Sequence, residues 1–244
     1  MRILCWFSCG AASAYATYLA SKKYDDIHPV YCEVVEEHKD NKKFLLDFEN
    51  KTGFKIKTIR NEKYEGSIYN VFESTKFIKG PSGAPCTRLL KKEVRKKYEK
   101  PDDVQVFGYT VEEQQRADRF IDSNNDVNVD FILIEKGITK KECLEFVQDL
   151  GIELPTMYKL GYSNNNCIGC VKGGMGYWNA IRHDFPEVFY KMVRLEEKLG
   201  HALLKDKDGP VFLYELDPDR GNFKRDMPED CGFTCEWKQE DLFK

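Results

Sequence analysis

The stretch from Ile3 to Ile59 constrains the fold more than any other part of this chain. Ile3-Leu4-Cys5-Trp6-Phe7 has the composition of a short buried strand, and Ala11 to Lys23 that of a helix with small residues on its first turn. Ile27 to Cys32 reads as a second strand, ending in an acidic cluster of Glu33, Glu36 and Glu37. Lys39 to Thr52 carries helical periodicity through Phe44, Leu45 and Phe48, with Gly53 as its stop, and Phe54 to Ile59 alternates apolar and polar residues as a strand does. Strand and helix in strict alternation predict βαβ units, hence an α/β fold with a doubly wound, mostly parallel sheet. Ligands of such sheets sit at the carboxyl ends of the strands.

At the first of those ends stands Ser8-Cys9-Gly10-Ala11-Ala12-Ser13. A strand, a tight turn with Gly and two hydroxyls, then a helix presents free backbone N–H groups to an anion. Gly10 lets the backbone approach a ligand, and the hydroxyls of Ser8 and Ser13 are available to donate to phosphate oxygens. No Gly-Lys-Ser/Thr follows, so this is not a Walker loop. Small residues also occur at such turns simply because the helix packs tightly on the sheet. Both readings stand on the hexapeptide alone.

Further along, Ser67 onward reads as helix, and Gly80 to Pro85 as a loop that delivers Cys86-Thr87-Arg88 to a helix running to about Glu99. Val104 to Gly108 is the next strand, leading into a helix with Glu112, Glu113 and Arg116; Phe131 to Ile134 reads as a short apolar strand, and Thr139 to Leu150 as a helix. From Pro155 the alternation breaks down. Asn164-Asn165-Asn166-Cys167-Ile168-Gly169-Cys170 is loop-like, Trp178–His183 and Pro186–Leu199 are helical, and Leu203–Lys205 with Val211–Tyr214 suggests a hairpin. The expected organisation is an α/β domain over 1–154 and a Cys-rich, mainly helical extension over 155–244 packed on it.

Net charge is −3, from 38 basic and 41 acidic side chains, so there is no global electrostatic case for a nucleic-acid binder. The basic segment Lys91-Lys92 with Arg95-Lys96-Lys97 reads as a solvated helix face and leaves such a partner open. No apolar run reaches the roughly 18–20 residues that span a bilayer, and no signal peptide is evident. A cytoplasmic protein without a membrane partner is the expectation. Nine cysteines, an odd number, argue for thiols or metal ligands rather than a disulfide framework. Cys5, Cys9, Cys32 and Cys143 sit in apolar stretches as small hydrophobes, whereas Cys86, Cys167, Cys170, Cys231 and Cys235 sit beside Gly, Pro and Asn.

Four features together resemble one family: Ser-x-Gly-x-x-Ser at Ser8–Ser13, Pro85-Cys86-Thr87-Arg88-Leu89-Leu90-Lys91, Gly108 with Glu113 and Arg116, and Asn165-Asn166-Cys167-x-x-Cys170-Val171-Lys172-Gly173. From Arg2 to about Leu199 the chain resembles the phosphoadenosine phosphosulfate reductase-like branch, phage and bacterial type, of the adenine nucleotide alpha hydrolase superfamily. The resemblance implies an adenine nucleotide alpha hydrolase-like fold that binds ATP or a related nucleotide with Mg2+. Ser8, Cys9, Gly10, Ala11, Ala12, Ser13, Gly108 and Glu113 would then line the nucleotide site. It also implies adenylation of an acceptor for sulfur transfer, the acceptor being a small molecule, a tRNA base or DNA. Arg88, Arg116 and Lys172 are the candidate catalytic cations, with Lys91 a further phosphate neutraliser and Glu113 at i, i+3 spacing to orient Arg116. Stricter adenylating members carry Asp where this chain has Ala12 and Gly where it has Cys9.

Cys167-x-x-Cys170 is a good two-ligand turn, and Cys86 at a helix start has a favoured thiolate. With Cys235 or Cys231 these make a four-thiolate set. The family points to an iron–sulfur cluster; zinc is the alternative, and a redox disulfide between Cys167 and Cys170 a third. Two rival functions remain. A sulfonucleotide reductase needs a nucleophilic Cys231 or Cys235, although the reductase motif is only partly matched at Asp230-Cys231-Gly232. A nucleotide-binding protein without chemistry is favoured by Ala12.

Overall fold

The computed structural model describes residues 1–81 and 83–222. Five strands, β1 (Ile3–Phe7), β2 (Ile27–Cys32), β3 (Lys57–Ile59), β4 (Val104–Val106) and β5 (Asn128–Asp130), form one sheet in the order β3-β2-β1-β4-β5. Every pairing is parallel. The fold is therefore α/β with a parallel sheet, and the strand order reverses between β1 and β4.

Side chains of β1 alternate between two layers. Ile3, Cys5 and Phe7 face α1 (Ala11–Lys23), α2 (Asn41–Thr52) and α7 (Lys140–Asp149), where Phe44, Phe48, Cys143 and Val147 complete the core. Leu4 and Trp6 face the other way, toward α4 (Glu93–Tyr98) and α5 (Gln114–Ser123), where Val94, Ala117 and Phe120 pack. A strand covered on both faces must be apolar throughout, which is why β1 shows no alternation in sequence.

Three expected elements differ, one of them the strand expected over Val211–Tyr214, which pairs only at Val211 while Leu213–Glu215 forms a helical turn. The strand at Phe131–Ile134 is instead helical, α6 being Ile132–Glu135, and the edge strand is the polar segment Asn128–Asp130 before it. Four consecutive apolar residues fit a buried helical turn as well as a strand; here Ile132 and Leu133 sink beneath α1 while Phe131 and Ile134 pack on the opposite layer. The basic segment is not a uniformly solvated face either. Arg95 is fully buried, with Nη1 3.3 Å from Gln105 Oε1 and Nη2 3.3 Å from Asn124 Oδ1. The helix carrying it begins at Thr87–Lys92 with π-helical turns.

Beyond α7 the chain adds α8 (Thr156–Lys159), α9 (Met175–Asp184), α10 (Pro186–Leu199) and a small antiparallel pair, β6 (Leu204–Lys205) with β7 (Pro210–Val211). Tyr177 and Trp178 of α9 lie in a core that also takes in Ile68 and Phe72 of α3 (Ile68–Thr75) with Leu89 and Leu90, so this segment is packed onto the preceding one. None of the described helices is long and apolar enough to cross a membrane.

Glu196 pins the hairpin to α10: its two buried oxygens accept from the backbone N–H groups of Leu203 (2.5 Å) and Leu213 (2.8 Å). Burial pushes its carboxyl up to about 7. A carboxyl that holds its proton more tightly folded than unfolded contributes stability below its ordinary value and loses it as pH rises through about 7. Glu196→Gln removes that titration and sets an amide N–H2 against one of the backbone donors, a loss of about 1–3 kcal/mol. The variant is expected to melt lower, and its melting temperature should fall less than the wild type's between about pH 5 and 7, as followed by circular dichroism.

Candidate functional site

At the reversal in strand order, the carboxyl ends of β1 and β4 flank a crevice enclosing about 890 Å³, its open mouth included. The Ser8–Ser13 turn forms one wall. Ser8 donates from both its backbone N–H (3.0 Å) and its hydroxyl (3.1 Å) to Ser13 Oγ, which in turn donates to the Gly10 carbonyl at 2.9 Å. The two hydroxyls thus close the turn on itself, where the sequence reading has them donating to an anion. The amides of the turn other than those of Ser8 and Ala11, which already donate to Ser13 Oγ and the Tyr158 hydroxyl, are the feature left to meet a ligand. Gly10 caps α1 without a side-chain hydrogen bond, and the first helical turn holds no acidic residue, so the protein supplies no counter-charge to the positive end of the helix.

Cys9 and Gly10 shape this turn. Cys9 adopts a left-handed backbone, φ 56°, where glycine is the residue normally found. Its thiol is fully buried and held well above the usual value by burial, with the carboxyl of Glu37 adding to the effect. Such a thiol is a packing group and not a nucleophile. A Cβ on Gly10 would stand 3.2 Å from the Tyr158 hydroxyl, which accepts from the Ala11 N–H at 3.4 Å. Opposite, Gly108 brings the end of β4 against the first turn of α1 so closely that a Cβ would lie 2.5 Å from Ser13 N.

The expected cations are placed differently from the reading of their charge. Glu113 lines the crevice, accepting from Arg116 Nη1 and, at 3.3 Å, from the Thr110 N–H. Arg116 lies behind that wall, buried, with its guanidinium 4.2 Å above the Tyr109 ring. Arg88 pairs with Glu93 at 2.6 Å, and neither it nor the half-buried Lys172 is among the residues lining the crevice. The lysines that do line it are Lys91 and Lys140. Lys140 donates to Asn164 and was marked by no motif.

Behind Lys91 runs a buried polar chain that sequence reasoning missed. Glu37 is buried, with Lys91 Nζ 3.5 Å from Oε1, while Oε2 accepts from the Tyr31 hydroxyl (2.6 Å) and Asn41 Nδ2 (3.0 Å). Burial raises its carboxyl above the ordinary range, and Lys91 opposes that rise. Asn165 Nδ2 then donates to both Asn41 Oδ1 (2.8 Å) and the Cys9 carbonyl (2.7 Å), tying the loop before Cys167 to the turn after β1. The available signals were Glu37 just beyond β2 and three successive asparagines ahead of Cys167.

The Cys167–Cys170 turn is buried and held by Tyr177, whose hydroxyl accepts from the Cys170 N–H at 2.9 Å and donates to the Cys167 carbonyl at 3.4 Å. Cys86, half-buried, packs against the same core. Among the described residues no group of three or more His, Cys, Asp or Glu is arranged to hold a metal ion, and Cys231 and Cys235 lie outside the described residues. Cys32 and Cys143 are pushed up to about 12 by burial, and Cys5 is raised for the same reason, in keeping with packing roles. Neither a protein-family model nor a curated protein matches the chain.

Proposed function

We propose that the crevice binds an adenine nucleotide with its phosphates on the Ser8–Ser13 turn. The chain is then an ATP-dependent enzyme of the pyrophosphate-loop type that adenylates an acceptor for sulfur transfer, similar to phosphoadenosine phosphosulfate reductase-like proteins. One observation carries this reading: a helix N-terminus free of acidic residues, whose cap residue Gly10 brings no side chain of its own, opens into a crevice at the strand reversal that Lys91 and Lys140 also line.

In the reaction the acceptor attacks the α-phosphorus and pyrophosphate leaves. Charge that builds on the leaving oxygens is stabilised by amides already oriented before the reaction begins, and the two lysines add positive charge at the same wall. Mg2+ enters with the nucleotide as part of the substrate. Ala12 offers it no ligand, and both crevice carboxylates, Glu37 and Glu113, already hold protein donors. Cys167 and Cys170 supply two thiols on one turn, and Cys86 with Cys235 would complete a four-thiolate set for an iron–sulfur cluster or zinc. No step is assigned to that set.

Full-length protein purified without oxygen is expected to bind MgATP and, with a competent acceptor, to release pyrophosphate. Iron with acid-labile sulfide in the same preparation supports the cluster, and zinc alone supports the structural alternative. Absence of any adenine-nucleotide affinity overturns the reading. Tight ATP binding without pyrophosphate release under any acceptor favours the second reading, a nucleotide-binding protein without chemistry, for which Ala12 is the supporting observation.

A further inference from the structure

Two neighbouring side chains on the crevice wall carry buried polar atoms without a hydrogen-bond partner: Asn165 Oδ1 and Asn166 Nδ2. Asn165 is 7% exposed and Asn166 4%. Polar atoms removed from water are normally paired, and an orphan in a native site calls for a missing partner. The orientation of Asn165 is fixed, because its Nδ2 already serves two oxygens, Cys9 O and Asn41 Oδ1. Turning the amide over would set three oxygens against one another. The wall therefore offers one acceptor on Asn165 and, in the orientation that the Asn166 amide takes here, one donor on the next residue.

That pattern selects among ligands. A phosphate has acceptors only; it satisfies Asn166 and opposes the oxygen of Asn165. A cation does the reverse. Both atoms are served by a group that carries an N–H next to an acceptor. The same crevice is lined by the aromatic residues Tyr31, Phe107 and Tyr158, which favour a flat partner.

We infer that Asn165 and Asn166 form a subsite for the donor–acceptor edge of a flat nitrogen heterocycle. An N–H of the ligand donates to Asn165 Oδ1, and an adjacent ring nitrogen or carbonyl accepts from Asn166 Nδ2. The inference rests on the nucleotide reading of the crevice and deepens it. The edge has two sources: the adenine of the nucleotide itself, or the base of an acceptor bound beside it.

Calorimetric titration of the full chain with pyrophosphate, ATP, adenosine and, on ATP-saturated protein, guanosine or uridine separates these. The variants are Asn166→Ala, which deletes the donor, and Asn166→Asp, which replaces it by an acceptor of the same shape. Asn166→Ala is expected to bind pyrophosphate within about twofold of wild type and the edge-bearing probe about tenfold or more weaker; Asn166→Asp, whose added charge also opposes pyrophosphate, is compared on the neutral nucleosides alone and should bind the edge-bearing one weaker still. Without ligand, Asn166→Ala should melt at or above wild type, since it removes an unpaired buried donor. Weakening of ATP and adenosine together assigns the edge to the nucleotide. Weakening of guanosine or uridine with ATP unchanged assigns it to the acceptor.

Equal affinity of variants and wild type for every probe overturns the subsite and leaves water as the partner of both atoms. Equal weakening of every probe by Asn166→Ala, pyrophosphate included, overturns it too, since Asn166 then only shapes the loop. A wild-type protein that binds neither pyrophosphate nor ATP, yet binds guanosine or uridine through Asn166, refutes the nucleotide reading and leaves the subsite standing.

Discussion

Gly108→Ala is expected to lower the stability of the protein by about 3 kcal/mol or more, the upper range for forcing one carbon into a packed site. The added Cβ would lie 2.5 Å from Ser13 N, 2.7 Å from Ala12 C and 2.7 Å from Ser13 Cα, all backbone atoms that no rotamer change can move aside. The obstacle cannot retreat either. The first turn of α1 is tied by Ser13 to Ser8 and Gly10, and further along α1 Tyr15 stacks on Phe146 of α7 with ring centroids 4.1 Å apart. Relief must come from parting β4 from α1, which opens the crevice wall. For a chain of this length such a loss lowers the melting temperature by about 6–12 °C, and ligand binding should fail with it. Gly174→Ser is the control. A Cβ there meets nothing within 4 Å, and the position caps α9 with an extended backbone, so the serine variant should melt at the wild-type temperature or slightly higher. Urea unfolding of both variants checks the contrast.

This glycine illustrates what was legible in the sequence and what was not. Strand, turn and helix from Ile3 to Lys23 are local events, written in composition and in the Gly10 position, and α1 and β1 have the expected bounds. The parallel sheet followed from alternation along the chain. The role of Gly108 as a spacer against Ser13 depends on two strands meeting across about a hundred residues, which no window of sequence contains.

The cations show the same limit more sharply. Arg88, Lys91 and Lys92 share one helix, and a count of 3.6 residues per turn ordinarily tells which of them points inward. The π-helical turns over Thr87–Lys92 break that count, so helical phase could not select Lys91 for the crevice over Arg88. Arg116 was marked by its charge and its spacing from Glu113. Its burial against Tyr109 is a tertiary fact, and the pairing with Glu113 anchors the wall without placing the guanidinium in the crevice. The asparagine loop was visible only as a polar run ahead of a CxxC turn. Its contact with Cys9 spans 156 positions and became readable once the sheet had brought both ends of that span to the same crevice.

Lys91→Met should weaken ATP binding by about 10- to 100-fold, the loss of one charge-assisted hydrogen bond in a partly enclosed site. Methionine keeps most of the side-chain stem and deletes the charge, so the crevice wall stays filled. The lysine also acts on its neighbour, since its Nζ is 3.5 Å from Glu37 Oε1 and opposes the rise in pKa that burial imposes on that carboxyl. Without it the carboxyl moves further up and holds its proton more tightly in the folded state. Stability should then fall more steeply in the variant than in wild type as pH rises above the usual carboxylate range. Adding Glu37→Gln tests the division of labour. Tyr31 and Asn41 both donate to Oε2 while Lys91 meets Oε1, so glutamine can keep its oxygen toward the first two and present its amide where the lysine stood. The double variant is expected to regain a flat pH profile and most of the lost melting temperature, yet bind ATP no better than Lys91→Met alone. If ATP affinity returns with stability, Lys91 serves only to neutralise Glu37, and the phosphate contact belongs to Lys140 and the amides of α1.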